Sequence, residues 1–296
     1  MTAQARSRYS WGADEHLVVQ VAEAMSLEAN FTVMGIAQAL RALAIEGVVD
    51  ICPANASFLI RFDPDVLAPD ELEALVRQVE DEVEQTPAMT LNTRIVEVPV
   101  WYADPFTRET GSRFRDRHQR PEGDDLDFAA AENGLASAAD FVARHCASPW
   151  ITSMVGFVAG LPFLFQMVPQ ERQLQVPKYL RPRTDTPALT IGHGGCFACI
   201  YSVRGAGGYQ MFGITPVPIF DPAQRLADFS EFMVFFQPGD IVKFQPIDES
   251  TYGRVQREVA DGTYRYRQAT VTFKLQDFLP DPDAYNAHLL EAFDAR

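Results

Sequence analysis

Apolar and polar residues alternate along the first hundred positions in short segments that predict strands and helices in turn. Strands are predicted over residues 16–22, twice within 48–62 and over 95–102, and helices over 34–47 and 70–84. The first helix ends on a glycine, and the second has acidic residues in its first turn, where the helix dipole favours them. This order of elements predicts an α+β N-terminal domain over residues 1–102.

A charged connection over residues 103–149 is predicted to follow this domain. Residues 103–125 predict a loop, in which five arginines concentrate: Arg108, Arg113, Arg115, Arg117 and Arg120. Two explanations remain open: an exposed loop whose charges pair internally, or a docking surface for an acidic partner or a phosphate. Residues 126–131 and 136–146 are predicted to be helical.

After Pro149 the apolar runs become short and are broken by glycine and proline. This pattern predicts an all-β unit over residues 150–247, within a domain that spans 150–296 and whose tail ends in a helix-like segment near 283–293. Glycines cluster between residues 192 and 213. Such clusters are typical of tight turns, or of backbone that approaches a ligand closely.

One segment is long enough to cross a membrane, because residues 145–170 contain no Asp, Glu, Lys or Arg. The segment also contains Pro149, Pro162 and Pro169 with two glycines, which interrupt a helix exposed to lipid. We therefore predict buried strands and loops here and no membrane span.

The composition of the 296 residues, 47% hydrophobic and 22% charged, is that of a globular protein. Lys and Arg number 25 against 40 Asp and Glu, and the resulting net charge of −15 argues against binding to nucleic acid or anionic membranes. Four cysteines are too few for a disulfide scaffold, and the first sixteen residues lack the apolar stretch of a secretion signal. We expect a reducing cytoplasm.

The spacing of His193, Cys196 and Cys199 resembles part of a zinc site. A second pair of ligands is missing from the sequence. Residues 190–201 also have the pattern of a strand, on which residues three apart point to opposite faces. The prediction is that these residues hold no metal.

The glycine-rich run over residues 204–209 lacks the pattern of a nucleotide-binding loop. It is better explained as a turn that presents backbone N–H groups to a small anion or carbonyl. His145, at the end of a predicted helix, is either a proton-transfer residue or a cation that stabilises the helix dipole.

Seven motifs of the chain occur in the order and spacing of one family, which carries a histidine and an aromatic residue five apart, then GFxPGFxYL, PRxxxPRxxVPAGSV and PGGWxxxGRTP. The matching positions are His145 with Trp150, 156–164, 177–191, Ile200 with Tyr201, 206–216, 220–221 and 238–247. On these motifs the chain resembles the family of KipI, allophanate hydrolase subunit 1 and the B component of 5-oxoprolinase. That family is related to the carboxyltransferase region of urea carboxylase.

The chain departs from the family pattern at several positions. Lys178 and Ile214 stand where the family has arginine, and Tyr209 replaces a tryptophan, whereas Arg183 is kept. Because isoleucine provides no two-point contact to a carboxylate, Ile214 predicts a changed substrate or a lost activity.

The resemblance implies a cyclophilin-like β-barrel after the α+β domain and a partner with a second barrel, of the type of KipA and the C component of 5-oxoprolinase. It implies a subunit of an enzyme that acts on a small amide, lactam or urea-like carbonyl. The reaction is ATP-dependent opening of a lactam, or carboxyl transfer from biotin carried on a partner, with no cofactor bound by this chain alone. The alternative is a regulatory protein that inhibits a sensor histidine kinase.

The resemblance and the residue types together predict a site near the barrel mouth. His145 is expected to move a proton and Arg183 to stabilise an oxyanion, with Tyr201, Gly207, Gly208 and Thr215 binding the substrate. The alternative is that the glycines only turn the chain and that the tyrosine and threonine only pack.

Overall fold

The computed structural model describes residues 7–84 and 90–295, and it divides them into two compact units. The first consists of the described residues up to Leu91 together with Phe273–Pro280, and the second of Asn92–Thr272 and the residues from Asp281 onward. Residues 1–6, 85–89 and 296 lie outside the described residues. The prediction that the first sixteen residues hold no secretion signal falls partly on the first of these ranges.

The first unit contains an antiparallel four-stranded sheet in the order β1-β2-β4-β3. Its strands are β1 Arg8–Gly12, β2 His16–Gln20, β3 Val48–Pro53 and β4 Ser57–Phe62, and its long helices are α1 Leu27–Ala42 and α2 Pro69–Glu84. Apolar side chains of the sheet, such as Leu17 and Ile60, form one core with Ile36 of α1 and Val76 of α2. This arrangement agrees with the predicted α+β class.

Two boundaries in the first unit differ from the prediction for physical reasons. Helix α1 begins seven residues before the predicted start, because the hydroxyl of Ser26 accepts a hydrogen bond from the amide of Ala29 and caps the helix there. Strand β1 was not predicted, because its residues are mostly exposed and show no apolar alternation. Its pairing with β2 holds it in place.

The second unit is built on an eight-stranded sheet in the order β12-β9-β10-β7-β6-β13-β5-β14, in which β12 also pairs with β5. The strand bounds are β5 Thr90–Tyr102, β6 Trp150–Val155, β7 Pro162–Gln166, β8 Arg183–Thr186, β9 Thr190–Gly194, β10 Phe197–Ile200, β11 Gly205–Gly207, β12 Gln210–Ile214, β13 Ile241–Pro246 and β14 Gln268–Lys274. Strands β8 and β11 pair separately. Because β5 also pairs with β12, the series of paired strands that starts at β12 leads back to it. The cyclophilin-like character of this sheet remains a prediction.

Six further helices among the described residues make the chain mixed α/β. The three that follow residue 150 lie in the tail after residue 247, and residues 150–247, all of them described, form strands without an α-helix among them, as predicted. The helices are α3 Pro105–Arg113, α4 Asp125–Glu132, α5 Ala138–Ala147, α6 Glu249–Ala260, α7 Leu275–Phe278 and α8 Pro282–Asp294. The predicted helices at 126–131, 136–146 and 283–293 are confirmed as α4, α5 and α8. Helix α6 was missed, although Asp248 caps it by accepting from the amide of Thr251.

Strand β5 lies in the eight-stranded sheet, where it pairs in parallel with β13. The division of the chain therefore falls before most of β5, whereas the sequence predicts a domain boundary after residue 102. Parallel pairing joins residues more than a hundred positions apart, so the order of elements alone does not reveal it.

The arginine-rich segment is not a loop throughout, because Asp104 caps α3 by accepting hydrogen bonds from the amides of Phe106 and Thr107. The apolar segment over 145–170 forms β6 and β7, as predicted. Within residues 7–84 and 90–295, no helix combines the length and the apolar character that crossing a bilayer requires.

Candidate functional site

A cavity of about 410 Å³ opens in the second unit, and we call it the aromatic pocket. It is lined by Phe157, Leu161, Phe163, Lys178, Pro182, Cys199, Tyr201, Ala206, Gly207, Gly208 and Tyr209. The lining is mostly apolar, and its one charged side chain is the ammonium of Lys178. A pocket of this kind favours a small planar ligand without positive charge.

Two tyrosine rings form one wall of the aromatic pocket because glycines give them room. A Cβ added at Gly194 would come within 2.9 Å of Cγ of Tyr209, and one added at Gly207 within 2.7 Å of Cζ of Tyr201. Side chains at these positions would therefore displace the rings. The sequence predicts that a ligand approaches the backbone closely at the glycine cluster. In the structure, aromatic rings of the protein itself approach the backbone there.

The rim of the aromatic pocket is formed in part by the loop between β6 and β7. Phe157 in this loop has a φ of +71° and an exposed fraction of 69%. A bulky residue in the left-handed region is strained, and such strain persists only where the surrounding structure imposes it. The loop therefore holds a large apolar side chain at the entrance.

Arg183 lies behind the wall, with its side chain completely buried. Its Nε donates to Oγ1 of Thr186 at 3.2 Å, and its Nη1 donates to the carbonyl of Tyr209 at 2.8 Å. Its Nη2 has no hydrogen-bond acceptor within the described residues. A buried cation held only by neutral acceptors is costly, so its charge must be balanced from nearby.

A charge that can balance it is the carboxylate of Asp125, which is linked to Arg183 through one aromatic ring. The guanidinium of Arg183 lies 4.4 Å from the ring centre of Tyr179, whose hydroxyl donates to the carboxylate of Asp125 at 2.9 Å. That carboxylate also accepts from the amide of Met211 at 2.8 Å and from Nη2 of Arg115 at 3.1 Å. This polar network anchors the wall that carries the tyrosines.

The network gives a stability prediction with a matched control. Asp125→Ala should lower the free energy of unfolding by about 2–4 kcal/mol, because it leaves Arg115 and two further buried donors without an acceptor. Asp116→Ala breaks an exposed pair with Arg181 and should change it by about 0.5 kcal/mol or less. Urea unfolding of the three proteins measures both values, and equal losses would contradict the proposed burial effect.

The sequence matches the family described as "Carboxyltransferase domain, subdomain C and D" over residues 7–229. The chain belongs to this family.

The relatives of this carboxyltransferase-domain protein include the B component of 5-oxoprolinase from Bacillus subtilis, 26% identical over 255 residues, which are 83% of this chain and 95% of the relative. The corresponding 5-oxoprolinase component of Escherichia coli O157:H7 is 28% identical over 235 residues, 79% and 93% of the two chains. Urea amidolyase of Saccharomyces cerevisiae is 25% identical over 275 residues, 92% of this chain but 15% of that protein. The resemblance drawn from the motifs is confirmed.

Solved structures support the same fold. The structure of the K. lactis urea amidolyase superposes with a TM-score of 0.84 at 21% identity and covers 98% of this chain and 17% of the other. The crystal structure of TTHA0988 superposes with a TM-score of 0.59 at 26% identity, over 79% of this chain and 40% of the other. The fold is therefore similar to part of a much larger enzyme.

The carboxyltransferase-domain structure brings together three of the six predicted site residues. Tyr201, Gly207 and Gly208 line the aromatic pocket. Thr215 and Arg183 are completely buried and do not line it. The amide of Thr215 donates a hydrogen bond to the carbonyl of Leu189, and this backbone contact is structural.

His145 is also completely buried and lies in an aromatic cluster away from the lining. Its ring is stacked on Phe244 with centres 4.8 Å apart, and its Nδ1 lies 2.9 Å from the hydroxyl of Tyr102. Burial, reinforced by His193 nearby, holds the pKa of His145 well below its usual range. It is therefore neutral and carries no dipole-stabilising charge at the end of α5.

Sequence reasoning left Phe163, Lys178, Cys199 and Tyr209 out of the predicted site. Cys199 could have been found from the sequence. Residues two apart on a strand point to the same face, so Cys199 lies on the same face as Tyr201. The same rule separates His193 from Cys199, two of the three residues whose spacing resembles part of a zinc site. His193 pairs across the strands with Ala198, so it lies on the face opposite Cys199. Within the described residues, no three His, Cys, Asp or Glu side chains are placed to hold a metal.

Ile214, which replaces the family arginine, does not line the aromatic pocket. It lies at a different surface cavity of about 440 Å³, together with Phe106 and Tyr252. The substitution therefore leaves the lining of the aromatic pocket unchanged.

Proposed function

We propose that this chain is one subunit of a hetero-oligomeric enzyme that acts on a small amide, lactam or urea-like carbonyl. The observation that carries the proposal is the aromatic pocket, which combines Tyr201, Gly207 and Gly208 with the ammonium of Lys178. Similarity over 95% of the length of a 5-oxoprolinase B component favours lactam opening over carboxyl transfer. The proposed partner is a second barrel protein of the type of KipA and the C component of 5-oxoprolinase.

The lining suits a planar carbonyl compound. The rings of Tyr201 and Tyr209 offer flat apolar surface, and Lys178 is placed to attract a carboxylate on the substrate. Leu161 and Phe163 on the same cavity exclude water from the bound carbonyl, which strengthens any hydrogen bond made to it. In this proposal the chain binds and orients the substrate.

The pocket does not suit ATP as a resident group. A triphosphate needs several cationic or backbone donors, and Lys178 is the one charged group in the lining. Gly205–Gly207 form strand β11, and no helix follows them to receive a phosphate. We therefore assign ATP to a partner. Biotin is proposed to be carried on a partner because the resemblance implies it, and no step is derived through either group.

Co-expression tests the proposal. The chain is produced together with a KipA-type protein and the other subunits of a 5-oxoprolinase, and glutamate formation from 5-oxoproline is measured with ATP. Turnover is expected from the assembled complex and not from this chain alone. Turnover by the isolated chain, or none by the complex with 5-oxoproline and with urea plus carboxybiotin, would contradict the proposal.

The exposed apolar residues beside the pocket favour a second candidate. Phe157 and Leu180 have exposed fractions of 69% and 71%, and such residues are typical of protein contacts. They suit a partner in an enzyme complex, and they also suit a regulatory protein that inhibits a sensor histidine kinase. A gene neighbourhood with a kinase and no second barrel protein would favour regulation.

Four unpaired cysteines, Cys52, Cys146, Cys196 and Cys199, support our further proposal of a reducing compartment, the cytoplasm.

A further inference from the structure

The hydroxyl of Tyr201 has an unusual set of neighbours. It lies 3.4 Å from the amide nitrogen of Tyr209, which donates to it. The guanidinium of Arg183 is close enough to lower the pKa of this hydroxyl against the larger, opposing effect of burial. The amide is a donor, so the oxygen of Tyr201 acts as an acceptor on the protein side. Arg183 fixes the residue that carries this amide, because its Nη1 donates to the carbonyl of Tyr209 at 2.8 Å.

The proton of that hydroxyl is therefore free to be donated. Within the described residues, no acceptor receives a hydrogen bond from Tyr201. The side chain lines the aromatic pocket, and no lining residue carries a carboxylate that would compete for the proton. A phenol that accepts from a backbone amide and donates to no protein acceptor directs its O–H toward the space beside it, which is the pocket.

The charges around the pocket favour an oxygen that becomes negative. Arg183 lies behind the wall and Lys178 lies on it, and both stabilise negative charge at the pocket-lining thiol of Cys199, although burial still raises the pKa of that thiol. The same field acts on a ligand oxygen at this wall. Donors placed in advance where charge develops are the most effective way to stabilise an oxyanion.

We infer that the Tyr201 hydroxyl donates the hydrogen bond that stabilises the substrate carbonyl oxygen as it gains negative charge, and that Arg183 is a positioning residue that fixes the direction of this donation. The inference rests on the proposed function for the identity of the substrate. It reassigns Arg183 from a direct contact to a buried support, because its side chain does not reach the pocket.

Kinetics of the assembled complex give the first test. Tyr201→Phe removes only the hydroxyl and should lower kcat by about a hundredfold or more, with KM within about threefold. Arg183→Lys keeps the charge but loses the fork, and it should lower kcat by about tenfold. A kcat of Tyr201→Phe within about threefold of an active wild-type complex would overturn the inference and leave the proposed function standing.

A spectroscopic test does not depend on turnover. The probe is 2-pyrrolidinone with a ¹³C carbonyl, and its infrared carbonyl stretch is measured when bound to the full chain. A shift to lower frequency is expected with wild type, a smaller shift with Arg183→Lys and none with Tyr201→Phe. The same frequency in wild type and Tyr201→Phe, or no binding of the probe, would overturn the inference. If the wild-type chain gives the expected shift but the assembled complex shows no turnover, the proposed function is contradicted and the inference about Tyr201 stands.

Discussion

Replacing Gly207 with alanine is expected to lower the turnover of the assembled enzyme by about a hundredfold. The added Cβ would overlap the hydroxyl of Tyr201 and come within 2.7 Å of its ring carbons, so the ring must move away from its place on the wall. The displaced ring loses its packing contacts on the wall, and this loss should also lower the free energy of unfolding by about 1–3 kcal/mol. Steady-state kinetics and urea unfolding measure the two effects.

Gly205→Ala is the matched control for this prediction. Gly205 lies on the same strand, β11, and a Cβ added there meets no atom within 4 Å. This variant should keep its turnover, and its free energy of unfolding should stay within about 0.5 kcal/mol of wild type. If Gly207→Ala behaves like Gly205→Ala, the contact between the glycine and Tyr201 does not shape the pocket.

The second large effect is a loss of stability in mild acid. His145 and His193 are completely buried, and burial lowers the pKa of both, that of His193 to about 4. Below a pH of about 6.5 the unfolded chain binds protons at these residues that the folded chain does not bind, so stability falls as pH falls. For each histidine the slope is about half of 1.4 kcal/mol per pH unit at about pH 6.5, where the unfolded ring is half protonated, and nearly the full value at about pH 5. The expected loss over this range is therefore about 3 kcal/mol.

Variants separate these two histidines from the other titrating groups. His145→Phe suits its aromatic neighbours and removes one titrating ring, so the dependence of unfolding free energy on pH should weaken by about half. His288→Gln, at an exposed position on α8, is measured beside it as the control substitution. An unchanged slope in His145→Phe would show that His145 takes up its proton at the same pH in the folded and the unfolded chain, which would contradict the burial effect.

Local patterns predicted those elements that owe their shape to local causes. The acidic first turn and apolar stripe of residues 70–84 correspond to α2, and the paired β-prone runs in 48–62 correspond to β3 and β4. Helix α3 escaped prediction because its stabilisation depends on the cap at Asp104 within a charged segment. The placement of β5 depends on its long-range pairing with β13.

The candidate site was predictable only in part for a similar reason. Motif spacing pointed to Tyr201, Gly207 and Gly208, which line the aromatic pocket. The burial of His145 and Arg183 follows from how distant strands and helices pack. His145 ends α5 like an exposed cation in sequence, yet Phe244 of β13, about a hundred positions later, covers its ring.

The central claim is that the aromatic pocket binds the carbonyl substrate, and a crystal structure of the assembled complex with 5-oxoproline tests it most directly. We expect electron density for the lactam in this pocket, with its carbonyl oxygen within hydrogen-bonding distance of the Tyr201 hydroxyl. Density for the ligand in another cavity, such as the one beside Ile214 and Tyr252, with the aromatic pocket empty, would contradict the account.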